Sequence, residues 1–182
     1  MNALIFILNF AGQLLVGLFI VRFLLQLHRA DFHNPVSQAV VSLTNPLVMP
    51  LRKFIPGFKG MDMASLFAAL IMQVLVIIVL VVVQVGSVPG VRYLIVQSVF
   101  GLISLVLGLY TITIFLRVIL SWVNPDPRNP IVSILYSLTE PILAPARRFI
   151  PPLGGLDLSP LIVLVLIQAL SILITSDIRT LF

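Results

Sequence analysis

The sequence predicts an all-α membrane protein with four transmembrane helices, formed by two tandem repeats that lie in the membrane in the same orientation. Composition is the first reason: 60% of the 182 residues are hydrophobic and only 9% are charged, whereas about a quarter of an ordinary soluble domain is charged. The second reason is four long apolar stretches, and the third is a duplicated motif. The chain has no cysteine, which excludes disulfides and cysteine-based metal or redox sites.

The four apolar stretches each reach the roughly 20 residues that a helix needs to cross a bilayer. The predicted spans are about residues 3–27, 63–85, 93–122 and 158–176. Between the second and third spans lies GSVPG at 86–90, whose glycines and proline predict a tight turn. The other two connections, residues 28–62 and 123–157, are long links that contain the duplicated motif.

The motif NPLVMPLRKFIP at 45–56 returns as EPILAPARRFIP at 140–151, and the two halves align without a gap at an offset of 95 residues. Such self-similarity predicts a duplicated unit, here 1–90 and 91–182. Each unit contributes two spans, an even number. Both units therefore share one orientation, and both long links lie on the same side of the membrane.

The basic residues predict which side that is. Nine of the 11 lysines and arginines fall in the long links or at the adjoining span ends, and only Arg92 and Arg179 fall on the other side. Cytoplasmic segments of membrane proteins carry the excess of lysine and arginine. The links are therefore predicted in the cytoplasm, with both termini outside.

Prolines are expected to divide each link into short helices. In the first link, Asn34-Pro35 is a favourable helix start, and a helix is predicted over 36–43. Pro46 is predicted to start a second piece, since the residue before a proline is disfavoured in the helical region. Pieces of this length are too short to span, so we predict short amphipathic helices in the cytoplasmic interface. A packed connecting loop and a re-entrant pore loop are the alternatives.

Each predicted interfacial segment ends in two cations and an aromatic residue. These are Arg52, Lys53 and Phe54 in the first link, and Arg147, Arg148 and Phe149 in the second. They are predicted to contact anionic lipid or a protein partner, with each cation contributing about 1 kcal/mol near an anionic surface. Alternatively, the cations serve only as topology signals.

The pattern NP…SLT-x-P…P-x-R-[KR]-FIP…G-x-D and its duplication resemble the YggT family of bacterial integral membrane proteins, over nearly the whole chain. The two-unit layout is similar to that of proteobacterial members. The resemblance implies a multi-pass protein of the bacterial inner membrane, with periplasmic termini and an association with osmotic or ion homeostasis. Plastid relatives are associated with cytochrome b haem maturation and nucleoid organisation. The family implies no catalytic residue for this chain.

Two arginines lie within predicted spans, near their cytoplasmic ends, where a charge is costly unless it pairs or reaches the headgroups. Each unit also has an aspartate just before its second span, where a carboxylate can cap the helix. The predicted pairs are Arg22 with Asp62 or Asp31, and Arg117 with Asp157 or Asp126. Snorkelling arginines and simple helix capping are the alternatives.

Gln73 and Gln168 occupy matching positions in the middle of spans. Interhelical hydrogen bonds, worth about 0.6–2 kcal/mol each, are the predicted role, and contact with a substrate or ion is the alternative. Gly101 and Gly108 are seven residues apart and are predicted to allow close helix packing.

Several kinds of chemistry are not expected. His28 and His33 have no histidine counterparts in the second unit, so no metal or haem site is predicted, and no other cofactor is expected. There is no nucleophile pattern, phosphate loop or dinucleotide fingerprint. Topology and lipid account for the net charge of +5, and no nucleic-acid module is present.

The predicted function is therefore that of a non-enzymatic membrane scaffold or assembly factor that contacts lipids and an unidentified membrane or cytoplasmic protein. The alternative is a channel or transporter subunit for potassium or osmolytes. No acidic residue lies near a bilayer midplane, where a cation path usually needs one. One chain is thus expected to conduct nothing, and any pore would lie between the chains of a homo-oligomer.

Overall fold

The computed structural model describes residues 2–123, 126, 128–149 and 157–181, with side chains for 3–123, 126, 128–149 and 157–176. The described helices are α1 (Asn2–Leu27), α2 (Pro35–Arg52), α3 (Met63–Val85), α4 (Val91–Val123), α5 (Pro130–Phe149) and α6 (Ser159–Leu181). Four of them, α1, α3, α4 and α6, are long and apolar enough to cross a membrane. This confirms the four predicted apolar stretches as helices and fits a multi-pass membrane protein.

Among the residues that the structure describes, each long link contains one helix, and the expected division at Pro46 into two short pieces was wrong. The predicted start is present, because the Asn34 side chain accepts a hydrogen bond from the Val36 backbone N–H at 2.8 Å. From there α2 continues through both Pro46 and Pro50 to Arg52. In the same way, α5 continues through its two internal prolines.

Polar side chains bond to the backbone of α2 in the turn before its first proline. The Thr44 hydroxyl donates to the carbonyls of Val40 and Val41, at 2.7 and 3.2 Å, and the Arg22 guanidinium donates to the Val41 carbonyl at 3.3 Å. Pro46 has no N–H for the carbonyl four residues earlier, that of Ser42, so these bonds hold the turn just before the missing hydrogen bond and do not replace it.

Packing divides the chain into two compact units. The first contains α1 and residues 40–106, and the second contains residues 28–39 and those from 107 onward. Both α2 and α4 therefore contribute to each unit. The units differ from the predicted repeats 1–90 and 91–182, which describe sequence similarity and stay a prediction.

In the first unit, α1 packs along α3. Val16 and Ile20 of α1 are fully buried. The two helices approach closely at Gly12, where a Cβ would lie 2.7 Å from Cγ2 of Val76. A small residue lets two backbones approach in a membrane protein, and Gly12 allows this close contact between α1 and α3.

The first unit also contains the buried Gln73. Its Oε1 lies 3.5 Å from the Gln13 Nε2 donor, and a Cβ on Gly101 would lie 2.5 Å from its Nε2. Gly101 is therefore in tight contact with a neighbour. Gly108, with nothing within 4 Å of a Cβ, is not.

In the second unit, α4, α5 and α6 share an apolar core. Its buried members are Ile114, Leu143, Val163 and Ile167.

Candidate functional site: two arginine–carboxylate clusters

The first cluster forms around Arg22, whose side chain is only 3% exposed. Its Nη1 donates to Thr44 Oγ1 at 2.7 Å and to Asn45 Oδ1 at 3.0 Å. Its Nε lies 3.4 Å from Oδ2 of Asp62, one of its two predicted partners. The arginine thus connects α1 to α2 and to the start of α3.

Asp62 is 2% exposed and also accepts a hydrogen bond from a second arginine, Arg52. The Nη2 of Arg52 lies 2.5 Å from Oδ2 of Asp62. The same carboxylate caps α3 by accepting the backbone N–H of Ser65 at 3.3 Å and its hydroxyl at 2.6 Å. Burial alone would raise the pKa of Asp62, but the hydrogen bonds from Arg52 and Ser65 outweigh it, and the pKa lies below its usual value. The first cluster consists of Arg22, Thr44, Asn45, Arg52 and Asp62.

The second cluster forms around Arg117 of α4. Its Nη1 donates to Thr139 Oγ1 at 2.7 Å, as Arg22 does to Thr44. Its Nη2 donates to Glu140 Oε2 at 2.6 Å. The guanidinium carbon also lies 4.1 Å from the ring centroid of Tyr136, a cation–π distance.

Arg147 completes the second cluster by binding Glu140 with two nitrogens, each at 3.0 Å. Its Nε lies 3.2 Å from Asp157 Oδ2, an ionic contact outside hydrogen-bond alignment. Asp157 also accepts the backbone N–H of Ser159 at 2.9 Å, at the start of α6. The hydrogen bond from Arg147 lowers the pKa of Glu140, burial opposes this, and the bond from Arg117 adds to it. The second cluster consists of Arg117, Thr139, Glu140, Arg147 and Asp157.

Glu140 is the member that sequence reasoning missed. Arg117 was predicted to pair with Asp157 or Asp126, yet its described ionic partner is Glu140, while Asp157 faces Arg147. A signal was present, since the EPILAPARRFIP motif has one acidic residue, at the position of Asn45 in the first unit.

The two remaining predicted aspartates have a local role. Asp31 accepts the backbone N–H of His33, and Asp126 accepts that of Arg128, both at 2.8 Å. These short turns lead into α2 and α5. Neither aspartate has a described ion pair.

The clusters differ in charge and in exposure. The first has two arginines and one carboxylate, whereas the second has two arginines and two carboxylates. The carboxylates of the second cluster are exposed, at 42% for Glu140 and 44% for Asp157. The first cluster is therefore a buried structural connection, and the second can reach a ligand from outside.

The cations that end α2 and α5 do not act as uniform pairs. Arg52 and Arg147 face carboxylates, whereas Lys53 and Arg148 are exposed and have no described ion pair. The next residues, Phe54 and Phe149, are 83% and 85% exposed. We use the name elbow surface for each of these two exposed pairs taken by itself, Lys53 with Phe54 in the first unit and Arg148 with Phe149 in the second.

Gln73 and Gln168 share a sequence position but not an environment. Gln73 is buried, whereas Gln168 is exposed and lines a cavity of about 260 Å³ with Ser171 and Thr175. The interhelical contact described above belongs to Gln73.

His28 contacts an aromatic residue. Its Nε2 lies 2.6 Å from the Tyr110 hydroxyl, and burial lowers the pKa of His28. Among the described residues there is no group of three histidine or acidic side chains arranged for a metal ion.

The depressed carboxyl pKa values predict how stability varies with pH. A carboxyl group with a lowered pKa stabilises the fold above its unfolded-state value, about 4 for Asp and Glu, and this stabilisation is lost as pH falls through the folded-state value. We expect the melting temperature in detergent to be level from pH 7 to about 5 and to fall below about 4. Glu140→Gln should reduce the fall, and equal curves for the variant and the wild type would contradict a role for Glu140.

Comparison with known proteins gives one consistent family. A family model described as CCB3/YggT matches residues 1–83 and again residues 96–178. An uncharacterised protein of Pseudomonas aeruginosa PAO1 is 39% identical over 177 residues, 97% of this chain and 90% of the relative. The YggT protein of Escherichia coli K12 is 36% identical over 174 residues, 94% of this chain and 88% of the relative.

A chloroplast relative is similar over a shorter stretch. The CCB3 protein of Arabidopsis thaliana, whose name refers to cofactor assembly of complex C, is 35% identical over 72 residues, 39% of this chain and 41% of the relative. No solved structure gives a significant match.

Proposed function

This chain belongs to the CCB3/YggT family, and we propose that it is a non-enzymatic scaffold or assembly factor of the bacterial inner membrane. The elbow surface is the observation that carries the proposal. At the ends of α2 and α5 an exposed cation precedes a phenylalanine that is more than four-fifths exposed. Exposed aromatic residues beside cations suit contact with anionic headgroups and with the acidic surface of a partner.

The orientation in the membrane is part of the proposal. Both links lie in the cytoplasm and both termini in the periplasm, which the nine basic residues of the links and the adjoining span ends support. A tandem repeat with parallel units follows from the 95-residue offset. The two separate matches of the family model support it.

Single-cysteine labelling tests this orientation, because the native chain has no cysteine. Phe54→Cys and Ser87→Cys both place a thiol at an exposed position. In intact spheroplasts, an impermeant thiol reagent should label Ser87→Cys and leave Phe54→Cys unlabelled until the membrane is opened. Labelling of Phe54→Cys from outside would reverse the proposed orientation.

The proposed role is to hold a partner at the cytoplasmic side of the membrane, in a process linked by family resemblance to osmotic or ion homeostasis. The name of the chloroplast relative, which refers to cofactor assembly, supports an assembly role here also. The ends of α2 and α5 suit this role. Arg52 and Arg147 bind carboxylates there, while Lys53 and Arg148 remain exposed.

The elbow surface is tested by Lys53→Gln combined with Arg148→Gln. A matched control, Lys59→Gln with Arg128→Gln, removes the same charge from the links. We expect the first pair to reduce crosslinked complexes in native membranes and growth after osmotic downshift. The control should behave as wild type, with orientation and abundance equal in all strains. Normal complexes and growth in the first pair would remove the elbow surface from the function.

A potassium or osmolyte pathway is the second candidate, and Gln168, Ser171 and Thr175 favour it because they form a polar face on α6. Ser171 and Thr175 each donate to a carbonyl one turn earlier, at 2.9 and 2.8 Å, so neither hydroxyl proton is free for an ion pathway. Liposomes containing the protein and a potassium-sensitive dye decide the matter. Flux that is abolished by Gln168→Leu would replace the scaffold proposal.

A further inference from the structure

The second unit contains a cavity of about 790 Å³ beside the second cluster. Arg117, Arg147 and Asp157 line one part of it, and Phe115, Leu161 and Leu164 line another. Pockets of about 300–1,000 Å³ hold small ligands. The cavity is therefore large enough for a ligand with a charged end and an apolar end.

The charged part has donors available. A guanidinium has five N–H donors, and Thr139 and Glu140 take one bond each from Arg117. The side chain of Arg147 is partly exposed, and Asp157, 3.2 Å from its Nε, is accessible from outside. A cationic and an anionic group thus lie side by side at the cavity edge.

The apolar part belongs to membrane-spanning helices. Phe115 lies on α4 and Leu161 on α6, and both are more than half exposed in the structure. In a membrane-spanning helix, such side chains face acyl chains. Trp122, which also lines the cavity, has the amphipathic ring typical of the membrane–water interface.

We propose that this cavity binds one phospholipid with a zwitterionic ethanolamine headgroup. The phosphate accepts hydrogen bonds from Arg117 and Arg147, the ammonium pairs with Asp157, and an acyl chain lies against Phe115 and Leu161. The contact is non-covalent, and it goes beyond the scaffold function because it involves no residue of the elbow surface.

Charge balance selects this headgroup over an anionic one. Two arginines and two carboxylates make the second cluster neutral, so a headgroup with one charge of each sign adds no net charge. The phosphate of an anionic lipid would accept hydrogen bonds from the same two arginines, but such a lipid would bring no cation to pair with Asp157. The first cluster, with Asn45 in place of Glu140, lacks this balance.

The single tryptophan of the chain, Trp122, provides the measurement. Purified protein is reconstituted with phosphatidylethanolamine and phosphatidylglycerol at fixed total lipid, with bromine on the acyl chains of one lipid at a time. Brominated lipid quenches a nearby indole, so the two titrations give a relative binding constant at the cavity. We expect about a threefold preference for ethanolamine, the size of one partly exposed ion pair.

Three variants test the assignment. Asp157→Asn retains an oxygen that can cap α6 and should remove the preference, whereas Glu140→Gln makes the cluster net positive and should shift the preference toward phosphatidylglycerol. Asp126→Asn, a carboxylate outside the cavity lining, should retain the wild-type ratio. Equal quenching by both lipids in the wild type, or the same ratio in all four proteins, would overturn the proposal. If Asp157→Asn does not fold, Glu140→Gln alone decides.

Discussion

Asp62→Asn is expected to reduce the free energy of unfolding by about 3–5 kcal/mol, the cost of breaking a buried ion pair by removing one partner. The variant retains an oxygen that can cap α3 but loses the charge that faces Arg22 and Arg52. Arg52 is partly exposed and can be hydrated, whereas Arg22 is 3% exposed and would remain buried without a carboxylate. The measurement is thermal unfolding in detergent, followed by circular dichroism.

Asp157→Asn is the matched control, since Asp157 occupies the same place in the second half of the sequence. Its carboxylate is 44% exposed, and Arg147 retains Glu140 as a partner. We expect a loss of about 0–1 kcal/mol, as for surface ion pairs. Equal melting temperatures for the two variants would show that burial does not distinguish the clusters.

Gly12→Ala is expected to give the second largest effect. The new Cβ would lie 2.7 and 2.9 Å from the two γ-carbons of Val76. Val76 is β-branched and cannot rotate freely within α3, so α1 and α3 must separate. Overpacking of this kind costs about 1–3 kcal/mol, which exceeds the gain of up to about 1 kcal/mol from alanine's helix propensity.

Gly17→Ala is the control on the same helix. A Cβ at Gly17 meets nothing within 4 Å, so only the helix propensity changes and the melting temperature should rise slightly. Equal melting temperatures for Gly12→Ala and Gly17→Ala would contradict the close approach at Gly12. The comparison also separates packing from propensity, because both substitutions are the same chemical change in α1.

The sequence by itself determined the class of the protein and the number of its spans. Apolar stretches such as 63–85 are long enough to cross a membrane whatever packs beside them, because the energy of transfer into lipid depends on composition and length. The start of α2 at Asn34-Pro35 was also predictable, since capping is a local interaction between neighbouring residues.

Only the tertiary structure decided which side chains each polar residue contacts. α2 continues through Pro46 to Arg52, and a residue of α1, Arg22, bonds to a backbone carbonyl in the turn before that proline. Gln73 is buried and Gln168 is exposed at matching positions. The Arg22 contact and the burial of Gln73 both require side chains from other helices, which the sequence around each position does not reveal.

The two clusters show this difference most directly. Their arginines, threonines and aspartates match at the 95-residue offset, yet Arg22 lies against Asp62, and Arg117 binds Glu140 instead of Asp157. An arginine pairs with whichever carboxylate its neighbours hold closest, and replacing Asn45 by Glu140 at one matched position supplies a nearer one. The sequence determined which charges are present, and the packing of α4 and α5 decided which of them meet.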